Sequence, residues 1–328
     1  MLVSFQEMED QFRRILLKLS FTEGKAAVCA RLFAENSRDG VYSHGLNRFH
    51  VFAQNVQEGI VDAEAEPECI SANGSIEHWD GKFGIGMYNA TMAMQKAIEL
   101  AKQTGLGLVT LKNNNHWMRG GTYGWQSANQ GCIAICTTNT IANMPPWGGI
   151  DPTLGNNPIV IAVPRNNGEH VVLDMAISQY SYGALYEHKL KEKKLAVPGG
   201  YDEDGKLSDD PASIFRSQRA LPIGFWKGSA LSLVIDVLLC SLTGGRTTKQ
   251  ITDDAKERGV TQLFFCIYRK QLYDHLADEV ISYARSSRPV KKGEKINYPG
   301  ENTLATRRRN LAHGIPVNEK IWNEVLQM

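Results

Sequence analysis

The sequence lacks the GxGxxG fingerprint with which a Rossmann domain binds the pyrophosphate of a dinucleotide. The stretch GKFGIGMYN at 81–89 comes closest, but it fails at the last glycine. If a dinucleotide binds this chain, we expect it to be held by another scheme.

The sequence also lacks an excess of charge of either sign. Lys and Arg number 36 against 35 Asp and Glu, so the formal net charge is +1. Proteins that bind nucleic-acid phosphates carry a basic excess, and we therefore expect no nucleic-acid partner. We interpret the short basic run TRRRN at 306–310 as a solvated helix face.

No CxxC pair and no spacing typical of a zinc site or a disulfide framework occurs, so we predict neither. The six cysteines are Cys29, Cys69, Cys132, Cys136, Cys240 and Cys266. The amino terminus carries acids instead of a basic start followed by an apolar core, which is unlike a signal peptide. No stretch reaches the roughly 18 uncharged apolar residues of a membrane span. We expect a soluble, cytoplasmic protein without a membrane partner.

Hydrophobic periodicity predicts helices at both ends of the chain and an α/β middle. Apolar residues from Phe5 to Leu19 recur at helical spacing. Thr22 is suited to begin a second helix that ends near Gly40, and a third is predicted over 46–59. Strands are predicted at 106–111, 132–139, 158–164, 170–175 and 261–268. Core-packed helices closed by glycine are predicted at 89–105 and 229–245, and the chain after about 286 is predicted to be helical again.

These elements predict a mixed α/β (α+β) fold with two lobes, since a chain of 328 residues exceeds the size of most single cores. A central mixed-sheet lobe spans 71–285. A helical lobe combines 1–70 with 286–328.

The stretch VYSHGLNRFH at 41–50 is the first candidate site. Histidine readily supplies a proton near neutral pH, and a guanidinium binds carboxylates. If helical geometry begins near Ser43, Arg48 lies one turn from His44 on the same side. The alternative is an ordinary polar helix face.

Three further polar clusters interrupt the apolar texture. KNNNHWMRGGTYG at 112–124 follows a strand, where α/β proteins collect ligand groups, although Asn and Gly also form turns. NMPPWGGIDPTLGNNP at 143–158 is a pocket wall containing Trp147 or a structural crossover. GFWKGSALSL at 224–233 has Lys227 at the start of a predicted helix. Such a lysine either helps to bind an anion there or has no function at that position.

Together these stretches resemble one family. YSHGLNR, NNHWMRGGTYGW, MPPWGG, LGNNPIVIAVP, VVLDMAISQYSYG, LPIGFWKGSALSL and YPGE are similar to the malate/L-lactate dehydrogenase-type 2-oxoacid reductases, which lack a Rossmann domain. The resemblance extends from near residue 5 to the carboxyl terminus. It implies a non-Rossmann NAD-binding central lobe, hydride transfer from NADH with NADPH left open, and a homodimer. HWMRGG, NMPPWGG and GFWKGS resemble the members that act on sugar acids.

The resemblance also implies roles for individual residues. His44 is the expected proton donor to the substrate carbonyl, Ser43 orients its ring, and Arg48 anchors the substrate carboxylate. His116 lines the same pocket or is itself the donor. The implied cofactor-binding residues are His170, Val171, Val172, Leu173, Asp174, Met175, Ala176, Trp226, Lys227, Gly300, Glu301 and Asn302. The chain departs from the family at Asn156, where many relatives have threonine.

Two other classes of function fit the same residues. A cofactor-free lyase or isomerase of sugar acids would use His44 and His116 as an acid and base pair. A carbohydrate-binding protein without catalysis would leave Lys227 at a helix start unexplained. Within the family, malate, lactate, ureidoglycolate and cyclic imino acids are alternative substrates.

Overall fold

The computed structural model describes residues 1–254 and 256–328. The helices are α1 (Phe5–Lys18), α2 (Glu23–Arg38), α3 (Leu46–Gln57), α4 (Gly86–Thr104), α5 (Gly121–Asn129), α6 (Tyr182–Leu190), α7 (Pro211–Ser217), α8 (Trp226–Thr243), α9 (Thr248–Asp253), α10 (Asp274–Arg285), α11 (Glu301–His313) and α12 (Glu319–Gln327). The strands are β1 (Leu2–Val3), β2 (Glu68–Asn73), β3 (Ile76–Asp80), β4 (Leu106–Asn115), β5 (Cys132–Thr138), β6 (Ala142–Met144), β7 (Leu154–Gly155), β8 (Ile159–Val163), β9 (Val171–Met175), β10 (Gly200–Tyr201), β11 (Leu207–Ser208), β12 (Arg258–Tyr268) and β13 (Ile315–Pro316).

Within the described chain, seven strands form one mixed sheet in the order β2-β3-β4-β12-β5-β8-β9. Only β3 and β4 run parallel, and the other neighbours are antiparallel. The long strands β4 and β12 occupy the centre, with Arg258 opposite Asn115 at one end. The predicted mixed, non-Rossmann sheet is therefore confirmed, although β4 and β12 are longer than the sequence indicated.

Both faces of the sheet are covered by helices. Helices α4 and α5 pack with Phe264 and Cys266 of β12 in one apolar core. Helix α8 packs with Leu263 and Phe265 on the opposite face. This division follows from the alternation of side chains along a strand.

The prediction that α8 is buried in the core is wrong for its outer side. Its inner face holds buried residues such as Ile235 and Leu239. Its outer face exposes Leu233, Val234, Val237 and Leu238 by 45–58%. Among the described residues α8 is also the one helix that is long and apolar enough to cross a membrane. A helix that packs on a sheet can also be this long and this apolar, because the pattern of apolar residues does not show what covers each face of the helix.

Both chain ends contribute to a second, helical core. Phe12 of α1 stacks on Phe49 of α3 with ring centroids 4.2 Å apart, and Trp322 of α12 is fully buried in the same cluster. Strand β1 pairs with β13. The predicted boundary at 70/71 falls inside β2 and that at 285/286 at the end of α10, so the division into lobes stays a prediction.

One buried carboxylate joins the helical core to the sheet. Asp39, which ends α2, accepts hydrogen bonds from Arg38 (2.9 Å), Arg119 (2.8 Å) and Arg307 (2.7 and 2.8 Å). Burial raises the pKa of Asp39, but the hydrogen bonds and charges of the guanidinium groups outweigh it and lower this pKa to about 2. The folded-state pKa is therefore below the unfolded value of about 3.9. Its stabilisation is present above about pH 4 and is lost as the pH falls through 2.

We expect Asp39→Asn to lower the free energy of unfolding by about 3–5 kcal/mol, because it leaves buried arginines without a counter-charge. Urea denaturation followed by tryptophan fluorescence measures this change. Glu23→Gln is the control, since Glu23 pairs with Arg13 on the exposed surface. Equal unfolding curves for the two variants would contradict the role of Asp39.

Candidate active site

A cavity of about 1030 Å³ lies between the helical core and the sheet. Its walls come from the segment before α3, the ends of β4 and β9, and the start of α11. The predicted site residues that line it are Ser43, His44, Arg48, His116, Val172, Leu173, Asp174, Ala176, Gly300 and Asn302. The structure thus brings the predicted catalytic residues and half of the predicted cofactor-binding residues together.

His44 does not share a helix with Arg48, which corrects the assumed geometry. Tyr42–His44 form a 3₁₀ turn, Gly45 interrupts it, and α3 begins at Leu46. A Cβ atom at Gly45 would lie 2.3 Å from Ser37 Oγ, so this close approach requires glycine. Ser43 Oγ lies 3.0 Å from His44 Nδ1. The two side chains nevertheless reach the same cavity.

His116 stacks on His44, with ring centroids 5.6 Å apart and an angle of 15° between the rings. The backbone N–H of Met118 donates to His116 Nδ1 (3.0 Å). The hydrogen of the neutral His116 ring is therefore on Nε2. Burial, together with nearby positive charges, lowers the pKa of both His44 and His116 to about 3. Both rings are neutral at pH 7.

The three asparagines before His116 lie in strand β4 and do not form a turn. Asn114 donates to Gly86 O and to Gln262 Oε1, and Asn115 donates to backbone carbonyls. These buried amides hold the end of β4 in place. Of the polar side chains in this stretch, His116 and Arg119 line the cavity.

Arg48 projects from the first turn of α3 into the cavity. Among the described residues, its guanidinium has no hydrogen-bond or ion-pair partner. A half-buried guanidinium with unused donors is suited to bind a carboxylate through two parallel hydrogen bonds.

Glu257 also lines the cavity, and the sequence analysis missed it. It directly precedes β12, whose residue Arg258 is opposite Asn115, so Glu257 is next to His116. Its Oε2 lies 3.9 Å from His116 Nε2. Burial raises the pKa of Glu257, while Arg48 and the Ile141 backbone N–H act in the opposite direction. The charged run KER before an apolar strand was the available signal.

The wall formed by β9 and α11 has groups for a dinucleotide. Asp174 accepts a hydrogen bond from the Gly121 N–H (2.8 Å), and Val172 N–H donates to Pro299 O (2.9 Å). Gly300 has φ +97° and caps α11, whose amino-terminal end faces the cavity. Helix amino termini bind anions such as a pyrophosphate. A carboxylate, apolar strand residues and a helix amino terminus in one large cavity fit such a cofactor.

The other predicted cofactor residues lie outside the cavity lining. Three of them lie next to the lining residues of β9, namely His170, Val171 and Met175. Glu301 instead pairs with Arg285 and Lys295. Trp226 and Lys227 are exposed at the start of α8. Trp147 packs on Phe225 in a surface patch beside α8, with ring centroids 5.2 Å apart. Asn143, Asn156 and Pro158 of the same predicted segment do line the cavity.

The sequence profile of the malate/L-lactate dehydrogenase family matches residues 3–326. The chain belongs to this family. The 2,3-diketo-L-gulonate reductases of Pasteurella multocida and Mannheimia succiniciproducens are 41% and 39% identical to it, over 99% and 98% of both chains. The solved structure of malate dehydrogenase from Entamoeba histolytica has a TM-score of 0.94 at 23% identity and covers 100% of this chain and 96% of that one. This last match supports the fold.

Membership of the malate/L-lactate dehydrogenase family confirms the predicted resemblance. The protein is an oxidoreductase, and the family implies a nicotinamide cofactor and a small-molecule acid substrate.

Proposed function

We propose that the protein reduces 2,3-diketo-L-gulonate to 3-keto-L-gulonate with NADH. The observation that carries this proposal is that Arg48, which pairs with no described residue, lines one cavity with two stacked histidines. The names of the full-length relatives support the choice of substrate. The C2 carbonyl gains a hydride on carbon and a proton on oxygen and becomes a hydroxyl group.

Arg48 binds the C1 carboxylate of the substrate. A charge-assisted pair fixes both the position and the orientation of a carboxylate, which presents the adjacent C2 carbonyl to His44. Arg119, the other arginine that lines the cavity, already binds Asp39. Arg48 is therefore the better anchor.

His44, and not His116, gives the proton. A second proton on His116 would occupy Nδ1 and break its hydrogen bond with the Met118 N–H. The Ser43 hydroxyl beside His44 Nδ1 can donate or accept, so it is compatible with both the neutral and the protonated ring. His116 remains a fixed Nε2–H donor to a substrate oxygen.

Substrate binding favours the protonated form of His44. Burial is the largest cause of its low pKa, and the positive charges of Arg48 and Arg119 lower it further. A substrate carboxylate on Arg48 offsets one of these positive charges, so we expect it to raise the pKa of His44. The donor thus becomes active when its substrate is present.

The bound nicotinamide supplies the hydride. Val172, Leu173 and Asp174 of β9, together with Gly300 and Asn302 at the amino terminus of α11, would hold the cofactor. The preference for NADH over NADPH is part of this proposal, because Asp174 puts a carboxylate on the wall formed by β9 and α11, where it would repel a 2′-phosphate.

The reaction is tested by mixing the purified protein with NADH or NADPH and a panel of 2-oxoacids, and following oxidation of the cofactor. Rapid NADH oxidation with 2,3-diketo-L-gulonate supports the proposal. NADH oxidation with oxaloacetate, pyruvate or a cyclic imino acid alone would retain the family and replace the proposed substrate. Conversion of a sugar acid without any cofactor would favour the lyase or isomerase alternative.

We expect His44→Gln to lower kcat by about 10²–10⁴-fold, the usual contribution of a general acid, with cofactor affinity retained. His116→Gln should cost less because it removes only a hydrogen-bond donor. Steady-state kinetics and fluorescence titration with NADH give both quantities. A larger loss of kcat in His116→Gln would transfer the donor role to His116.

For Arg48→Gln we expect KM for the acid to rise about tenfold to a hundredfold, because a charge-assisted pair is lost. Cofactor binding should change little, since Arg48 comes from α3 and the groups proposed to hold the cofactor come from β9 and α11. Substrate titrations at saturating cofactor measure the effect. An unchanged KM would contradict the assignment of Arg48.

We also propose that the protein is a cytoplasmic homodimer whose subunits meet across α8. The outer face of α8 is apolar, and its acidic residue Asp236 is directed inward to Asn139 and Thr248. A face of this kind suits a second copy of itself in a two-fold interface. The free cysteines, most of them buried or half-buried, accord with a reducing compartment.

Val237→Asp should shift the protein from dimer to monomer in size-exclusion chromatography with light scattering, because it introduces like charges at the interface. Val237 is 58% exposed in the single chain. Leu311→Asp, at a site 55% exposed on α11, is the matched control and should remain dimeric. Dimers in both variants would locate the interface elsewhere.

A further inference from the structure

Glu257 is held at the cavity wall by its neighbours in the chain. The guanidinium of Arg258 lies 4.4 Å over the ring of Phe83, and the Arg258 carbonyl accepts a hydrogen bond from Arg246 (3.2 Å). Strand pairing begins at Arg258. The backbone that carries Glu257 is therefore fixed, and its carboxylate has a defined place beside His116.

The carboxylate of Glu257 has unused hydrogen-bonding capacity. Its side chain is 21% exposed, and because Glu257 lines the cavity, the exposed part faces the cavity. Among the described residues, no lysine or arginine lies within 4.0 Å of it, and neutral His116 is 3.9 Å away. Arg48 acts on Glu257 through its charge without pairing with it. A carboxylate with free lone pairs accepts hydrogen bonds from hydroxyl groups.

The same carboxylate repels a second negative charge. A substrate bound to Arg48 by its C1 carboxylate leaves the rest of its chain in a cavity that contains Glu257. Arg119 is engaged by Asp39, so no further unpaired guanidinium among the described lining residues awaits a distal carboxylate. A hydroxylated chain, by contrast, offers donors to Glu257.

We propose that Glu257 is a specificity-determining residue that favours 2-oxoacids with a hydroxylated chain and excludes dicarboxylic 2-oxoacids. This proposal deepens the proposed function and rests on Arg48 as the carboxylate anchor. It assigns to one side chain the distinction between a sugar acid and a dicarboxylate of similar length.

The test compares Glu257→Gln with wild type on three acids: 2,3-diketo-L-gulonate, oxaloacetate and pyruvate. We expect kcat/KM to fall about tenfold for the sugar acid and to rise about tenfold for oxaloacetate. Pyruvate has neither a hydroxylated chain nor a second carboxylate and should change by less than about threefold. Glu58→Gln is the matched control. Glu58 is exposed and pairs with Lys256, the residue directly before Glu257.

A parallel change for all three acids would overturn the proposal, since Glu257 would then act only through the charge of Arg48. Glu257→Asp keeps the charge and should still exclude oxaloacetate, which covers the case of a Gln variant that does not fold.

Calorimetric binding of the unreactive acids L-gulonate and malonate separates this proposal from the reaction itself. Wild-type preference for L-gulonate that is lost in Glu257→Gln supports the role of Glu257 even if no acid is reduced. Equal preference in both proteins contradicts it.

Discussion

The ion cluster around Asp39 is the constraint on which the arrangement of the site depends. Its carboxylate comes from the end of α2, while Arg119 follows β4 and Arg307 lies in α11. One side chain therefore fixes the helical core, the sheet and the returning carboxyl-terminal segment relative to one another. Such a buried cluster gains little net stability when intact but is costly to break. The cluster instead selects one position of the helical core, the sheet and the carboxyl-terminal segment relative to one another.

That position matters because the two walls of the cavity belong to different cores. His44 and Arg48 come from the amino-terminal helical segments. Asp174 lies in the sheet, and His116 and Glu257 adjoin the ends of its strands β4 and β12. A small displacement between the cores would separate the stacked imidazoles and change the distance from Arg48 to the wall formed by β9 and α11. Catalytic rates are sensitive to displacements of about 1 Å. The ion cluster around Asp39 therefore sets the geometry of the cavity, although Asp39 itself does not line it.

Local chemistry explains what the sequence predicts well. Periodic apolar residues give α1, the hydroxyl of Thr22 caps α2, and left-handed glycines at 105 and 244 end α4 and α8. Short-range spacing also singles out His44 and His116. The position of Glu257 beside His116 was not predictable in this way, because it depends on the register between strands far apart in the chain. Asn114, for example, binds Gln262, 148 positions later. Periodicity likewise does not distinguish a helix face covered by a sheet from one left open, as in α8.

Helix α11 contacts both the cavity and the junction between the two cores. Its first residues line the wall formed by β9 and α11. Arg307 lies about 10 Å further along the helix, at 1.5 Å per residue, and donates hydrogen bonds to Asp39. Asn310, one turn later, donates to the Arg38 carbonyl at the end of α2. The start of α11 and the contacts that hold the two cores together therefore belong to one helix. The wall formed by β9 and α11 is thus joined directly to the junction that positions His44 against His116.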